Sequence, residues 1–318
     1  MEEGDLAGAA KTYADALAVF QEVNDQHGIS MATAGLGTVL DAKGDVVGAE
    51  KKLAQAIQID LSGGLQSPPA DKLVSLADVL LHQGNLTLAT KNYLDALAQS
   101  RASSDKTDTA FALFGLGKIA VEEANFPEAR KDYQEALEIR TALGETKNAA
   151  VTQVALAELA VEEGNPADAA ALLTSAREEF RKLHDSDLEL GATIVLIRAL
   201  LAQGKTADAA REAGGATALA AKSQSLPMQI EFAIASARVE AASGKYASAV
   251  AHLKTALAKA TKAGLVKYQL ECRLAIEDAQ AKPGKSPDVQ ARLDQLERDA
   301  KSKGFDLIAR KASARRDL

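Results

Sequence analysis

Gly44-Asp45-Val46-Val47-Gly48-Ala49-Glu50-Lys51-Lys52-Leu53-Ala54-Gln55-Ala56-Ile57 opens with a turn glycine and a helix-capping aspartate, then spaces Ala49, Leu53, Ala56 and Ile57 along one helix face. The spacing returns every forty residues. Turn glycines stand at Gly4, Gly44, Gly84, Gly164, Gly204, Gly244 and Gly284, with Ala124 in the vacant place. Five residues after each turn comes Ala9, Ala49, Ala89, Ala129, Ala169, Ala209 or Ala249. Twelve after it comes Ala16, Ala56, Ala96, Ala136, Ala176, Ala216 or Ala256. A period of this length, held over seven copies, predicts a stacked array in which each unit buries its apolar face against its neighbours.

Composition agrees with an all-α array. The 318 residues exceed the usual size of one compact core, a limit that does not bind a solenoid with contacts only between adjacent units. Hydrophobic residues make up 47% of the chain but aromatics only 4%, and there is no Trp, so the apolar surface is carried by small and straight side chains that favour close helix packing. No apolar run approaches the ~20 residues of a membrane span, and no leader opens the sequence, which predicts a soluble, cytoplasmic protein. A lone cysteine, Cys272, rules out an internal disulfide.

The net charge of −7 is unevenly spread: from Lys254 onward there are 15 Lys+Arg against 9 Asp+Glu, leaving 22 against 35 before it. An acidic body disfavours nucleic acid. The basic end, Lys301, Lys303, Arg310, Lys311, Arg315 and Arg316, reads as a solvated helix end complementing the helix dipole.

In chain order, Leu6, Ala9, Tyr13, Leu17 and Phe20 mark a helix over residues 5 to 24 that occupies the second-helix place of a unit whose first helix is missing. Residues 1–28 are therefore expected to be the remainder of a truncated repeat, with Met1 at the edge of a fragment. Residues 29–303 divide into seven repeats of about 40 residues, and residues 304–318, with Phe305, Leu307 and Ile308, are expected to form a capping helix and basic tail. Pro68-Pro69 delays one helix to about Ala70. Gly214-Gly215 weakens the second helix of unit five, and Lys282-Pro283-Gly284 forms the last turn.

The order Leu36-Gly37, Gly44, Ala49, Leu53, Ala56, Ile57, together with Leu116-Gly117, Ala129, Tyr133, Ala136, Leu137, resembles the tetratricopeptide repeat. The resemblance implies a right-handed superhelical α-solenoid of antiparallel helix pairs. It departs from the family in length, whose unit is about 34 residues; HEAT and armadillo repeats, with periods near forty, are the alternative. A narrower resemblance, in Gly4-Asp5-Leu6-Ala7-Gly8-Ala9 and in Gly304-Phe305-Asp306-Leu307-Ile308-Ala309-Arg310-Lys311-Ala312, is to the C-terminal arrays of bacterial signalling proteins. Those arrays follow a serine/threonine kinase or winged-helix regulator domain.

No catalytic, cofactor or metal residue is predicted. Gly115-Leu116-Gly117-Lys118 follows no strand and reads as a helix crossing rather than a phosphate loop. His27, His82, His184 and His252 are scattered, Cys272 reads as core, and Glu122-Glu123 and Glu162-Glu163 read as solvated helix ends. The chain is thus expected to be a non-enzymatic scaffold. By the family resemblance, a protein or peptide segment binds in a concave groove lined by first helices, at Asp78, Phe111, Phe114, Lys118, Glu158, Arg198 and Arg238. The family's carboxylate clamp is missing, since Val74, Ser75, Asp78 and Phe114 stand at its places. Arg198 and Arg238 in neighbouring units predict an acidic or phosphorylated partner end, with Glu158 or Glu231 as competing neutralisers.

Overall fold

The computed structural model describes residues 5–280 and 287–317, and among these it has sixteen helices and no strand. The first helices of the units are α2 (Gln26–Ala42), α4 (Ala70–His82), α6 (Lys106–Glu122), α8 (Thr146–Glu162), α10 (Ser186–Ala202), α12 (Leu226–Ala242), α14 (Val266–Gln280) and α16 (Asp306–Asp317). The second helices are α1 (Leu6–Glu22), α3 (Val46–Ser62), α5 (Leu86–Ser103), α7 (Phe126–Ala142), α9 (Pro166–Lys182), α11 (Thr206–Lys222), α13 (Tyr246–Ala263) and α15 (Pro287–Lys301). The turns at Gly4 and at Lys282-Pro283-Gly284 lie outside the described residues.

The turns within and between units share one geometry. A residue of positive φ recurs at twenty-residue intervals: Gly44 and Gly84 inside units, Gly144 and Gly264 between them. Asn24, Ser104, Ala124 and His184 adopt the same conformation without a glycine, at 54° to 62°. The next helix is then capped where the sequence allows. Asp25, Asp45, Asp105 and Asp185 each accept a hydrogen bond from the amide three residues on. Most helices are accordingly 17 residues long, so the extra length over the family's unit has gone into the helices.

Helices cross on small residues both between units, as α5 with α6, and within one, as α6 with α7. A Cβ on Gly115 would stand 2.1 Å from the Tyr93 ring, and one on Gly117 would stand 2.5 Å from Tyr133. The Gly115–Gly117 stretch is therefore the floor under two tyrosines.

Packing is not confined to adjacent units, and this corrects the nearest-neighbour picture drawn from the repeat. Leu86, Tyr93 and Leu113 share a core with Leu274, Leu296, Phe305 and Ile308. Val46 and Leu53 share another with Ile230, Leu253 and Leu265. The superhelix winds tightly enough that α12 to α16 stack on the units that begin it. Turn glycines make the stacking possible because they present bare backbone: Leu226 lies against Gly44, Val266 against Gly84 and Leu86 against Gly304. Across the same seam the Ala7 amide donates to Gln224 Oε1 (3.1 Å) and Arg310 donates to the Ala124 carbonyl (3.3 Å).

The clusters around α8 to α11 hold no partner from the other turn and consist of sequence-adjacent units alone. Gly214 and Gly215 lie there, exposed on α11, without positive φ and with open space where a Cβ would go. Replacing both with Ala is expected to stabilise the protein by about 1–2 kcal/mol. It also draws together the unfolding steps of this segment and the rest, which urea melts followed by circular dichroism will read. Destabilisation by the pair would show that the bare backbone is needed there.

Candidate functional site: the charged lumen

The forty-residue spacing places one side chain per unit at a single position of the first helices: Asp78, Lys118, Glu158, Arg198, Arg238 and Asp278 on α4, α6, α8, α10, α12 and α14. Winding turns this column inward, where it pairs within itself. Lys118 bonds Asp78, which also accepts from the Tyr93 hydroxyl (2.7 Å), and Arg198 bonds Glu158. Burial by itself would raise the Asp78 pKa, but Lys118 and the Tyr93 hydroxyl hold it below the ordinary carboxylate value. Burial acts likewise on Glu158, and Arg198 together with Lys267 outweighs it.

Four residues further along the same helices, Glu122 and Glu162 also face inward. The sequence predicts solvated helix ends at these two positions, and the structure overturns that expectation. Glu122 is only 4% exposed and takes an ion pair from Lys267 (2.8 Å); Glu162 pairs with Arg198 and with Lys311 (2.6 Å). The two lysines come from α14 and α16, on the second superhelical turn, and Arg198 from α10. The basic C-terminal end is engaged in the same way: Arg315 pairs with Asp278, and Arg316 with Asp294 and Glu297.

Between these groups lies a cavity of about 100 Å³. Lys118, Glu158, Arg198 and Arg238 line it with Lys267, Glu271 and Lys311, and Leu81, Val121, Leu274 and Ile308 form its apolar wall. Of the groove residues read from the sequence, Lys118, Glu158, Arg198 and Arg238 thus stand around one space, and Asp78 stands behind it as the ion-pair partner of Lys118. Phe111 and Phe114 do not line it: the Arg140 guanidinium carbon is 4.9 and 4.8 Å from their ring centres, and Phe114 adjoins the lining residues Lys118 and Tyr133, with Lys118 Nζ 5.5 Å from its ring centre. Arg140 is itself 1% exposed and donates to the Thr152 hydroxyl (2.6 Å). Burial lowers its pKa to about 10. Cys272 is core, its thiol pushed up to about 12 by burial and then by Glu271.

Glu231, on α12, is pushed up to about 7, first by burial and then by the neighbouring charge of Glu158, with Lys267 and Arg198 offsetting part of the effect. The folded protein therefore keeps a proton that the unfolded chain has released, so the Glu231 contribution is favourable at low pH and is lost as pH rises through about 7. Glu231→Gln is expected to raise stability relative to the parent at about pH 8 and to change it little at about pH 5. Urea melts of both proteins at the two pH values check this, and an equal effect at both would contradict it.

Comparison with known proteins bears on this geometry. No curated protein sequence is a significant match to the chain. Among solved structures, the Rap protein complexed with competence and sporulation factor superposes with a TM-score of 0.70 at 15% identity, covering 98% of this chain and 95% of that one. The apo form of RapI gives 0.57 at 14% identity, covering 90% and 98%. BtubC from P. vanneervenii gives 0.51 at 19% identity, covering 68% and 91%. At these identities the likeness is one of fold, an all-helical solenoid. No helix among the described residues is long and apolar enough to cross a membrane. Residues 24–307 match the MalT-like TPR region, and the chain belongs to that tetratricopeptide-repeat family.

Proposed function

We propose that the chain is a non-catalytic protein-interaction module, the partner-binding arm of a larger bacterial cytoplasmic signalling protein. Its seven repeats over residues 29–303 would wrap a peptide or protein segment against the first helices. The groove set is Asp78, Phe111, Phe114, Lys118, Glu158, Arg198 and Arg238. The observation that carries this reading is the column of charged side chains at forty-residue spacing, gathered around one cavity and backed by an apolar wall. A single interior position that is polar in unit after unit, where an α-solenoid could have continued its core, is what a recognition surface requires. The fold shared with the Rap protein complexed with competence and sporulation factor supports a segment-binding role.

The cavity admits one side chain or chain end at a time, so a longer segment enters as the two turns part along the seam. Site-specific photo-cross-linking in cells tests the reading: a benzophenone amino acid in place of the partly exposed Leu307, on the cavity wall, is expected to capture a protein partner, and one in place of the exposed Tyr246 is not. Capture from Tyr246 alone would place the interface on the outer surface and refute the lumen.

A further inference from the structure

The cations around the cavity are not equivalent. Lys118, Arg198, Lys267 and Lys311 each hold a carboxylate. Arg238 lines the same cavity, and among the described residues it has no ion-pair or hydrogen-bond partner. We propose that Arg238 is an anion anchor, and that the cavity takes a carboxylate carried on a short aliphatic body. This rests on the reading of the lumen as the binding surface.

Three features select that chemistry. A guanidinium offers a fixed fork of donors that matches a carboxylate in bidentate geometry. The charge around Arg238 limits what it can accept: Glu271, Asp278 and Glu162 attract it from beyond contact, so a phosphate dianion would face three carboxylates where a monoanion faces the least repulsion. The apolar part of the lining, Leu81, Leu274, Leu307 and Ile308, is aliphatic, and about 100 Å³ accommodates a few carbon atoms beside the headgroup. Burial and the like charge of Arg198 pull the Arg238 pKa below its ordinary value, so an arriving anion would relieve a charge that its surroundings under-compensate. The carboxylate can belong to a free short-chain acid or to the C-terminal residue of an aliphatic peptide.

Arginine side-chain NMR on the full chain tests this without any variant. Titration with butyrate, at constant ionic strength with chloride as control, is expected to shift the Arg238 Nε–Hε signal saturably and leave that of Arg198 nearly in place. An N-acetylated tetrapeptide ending in leucine separates the sources. Binding of its free acid at least ten times tighter than butyrate, with none by its C-terminal amide, assigns the site to a chain end; equal or weaker binding assigns it to a small acid. Arg238→Gln, checked for an unchanged amide spectrum, is expected to weaken the preferred ligand about ten- to a hundred-fold as read from the Ile308 methyl shift. An Arg238 signal unmoved by both probes, or inorganic phosphate binding tighter than butyrate, would overturn the proposal. Neither result would touch the cross-linking test, which reports partner capture whatever Arg238 holds.

Discussion

Replacing Lys72 with methionine is expected to lower the unfolding free energy by about 3–5 kcal/mol. Lys72, in the first turn of α4, and Asp60, near the end of α3, are 3% and 6% exposed, with Nζ 3.0 Å from Asp60 Oδ2. The contact is an ion pair rather than an aligned hydrogen bond, since Oδ2 has no donor at good angle. Methionine fills much of the lysine volume but leaves the Asp60 carboxylate buried and uncompensated, which is the costly half of a broken pair. The second carboxylate near Lys72, Asp71 at 3.7 Å, is mostly exposed and its loss matters little. Adding Asp60→Leu to Lys72→Met removes the stranded charge and is expected to recover most of the loss. Urea unfolding of both single variants and the double gives the comparison; a single-variant loss below about 1 kcal/mol would mean that water reaches Asp60.

Phe180→Ala is expected to cost a further large increment, about 3–5 kcal/mol, because the side chain is 1% exposed among Leu173, Ala176 and Val195 and its removal leaves a void. The place of that void sets its consequence. The α8 to α10 cluster draws on adjacent units alone, whereas the units at either side are also clamped to each other across the seam. The variant is therefore expected to lose amide protection around Phe180 and Leu173 first, while protection around Tyr93 and Leu274 persists. Native-state hydrogen exchange reads this directly, and uniform loss along the chain would show a single cooperative unit instead.

What could be read from the sequence is what repeats. Gly44, Ala49 and Ala56 with their copies specify turn and crossing, and the positions of Arg198 and Arg238 put both on one wall. The orientation of Glu122 and Glu162 was also within reach, because each stands one helical turn after a column residue, Lys118 or Glu158, and so shares its face. Twinned glutamates beside a turn drew the solvated reading instead. The partners of those glutamates were not legible: a period fixes the unit but not the number of units in a superhelical turn, so nothing in it places Lys267 against Glu122 or Lys311 against Glu162. Nor does the pattern of first helices show Arg140, a second-helix residue, covering Phe111 and Phe114.

Closure of the superhelix on itself is what makes a lumen out of a groove, and it rests on contacts such as Lys267 to Glu122 at 2.8 Å between α14 and α6. A double-mutant cycle on this pair, Lys267→Met and Glu122→Gln measured by urea unfolding at low ionic strength, isolates the contact from everything else the two substitutions change. A closed solenoid predicts a coupling energy of about 1–3 kcal/mol. Additivity within about 0.3 kcal/mol would mean that the two turns stand apart in solution and that the molecule is an open spring.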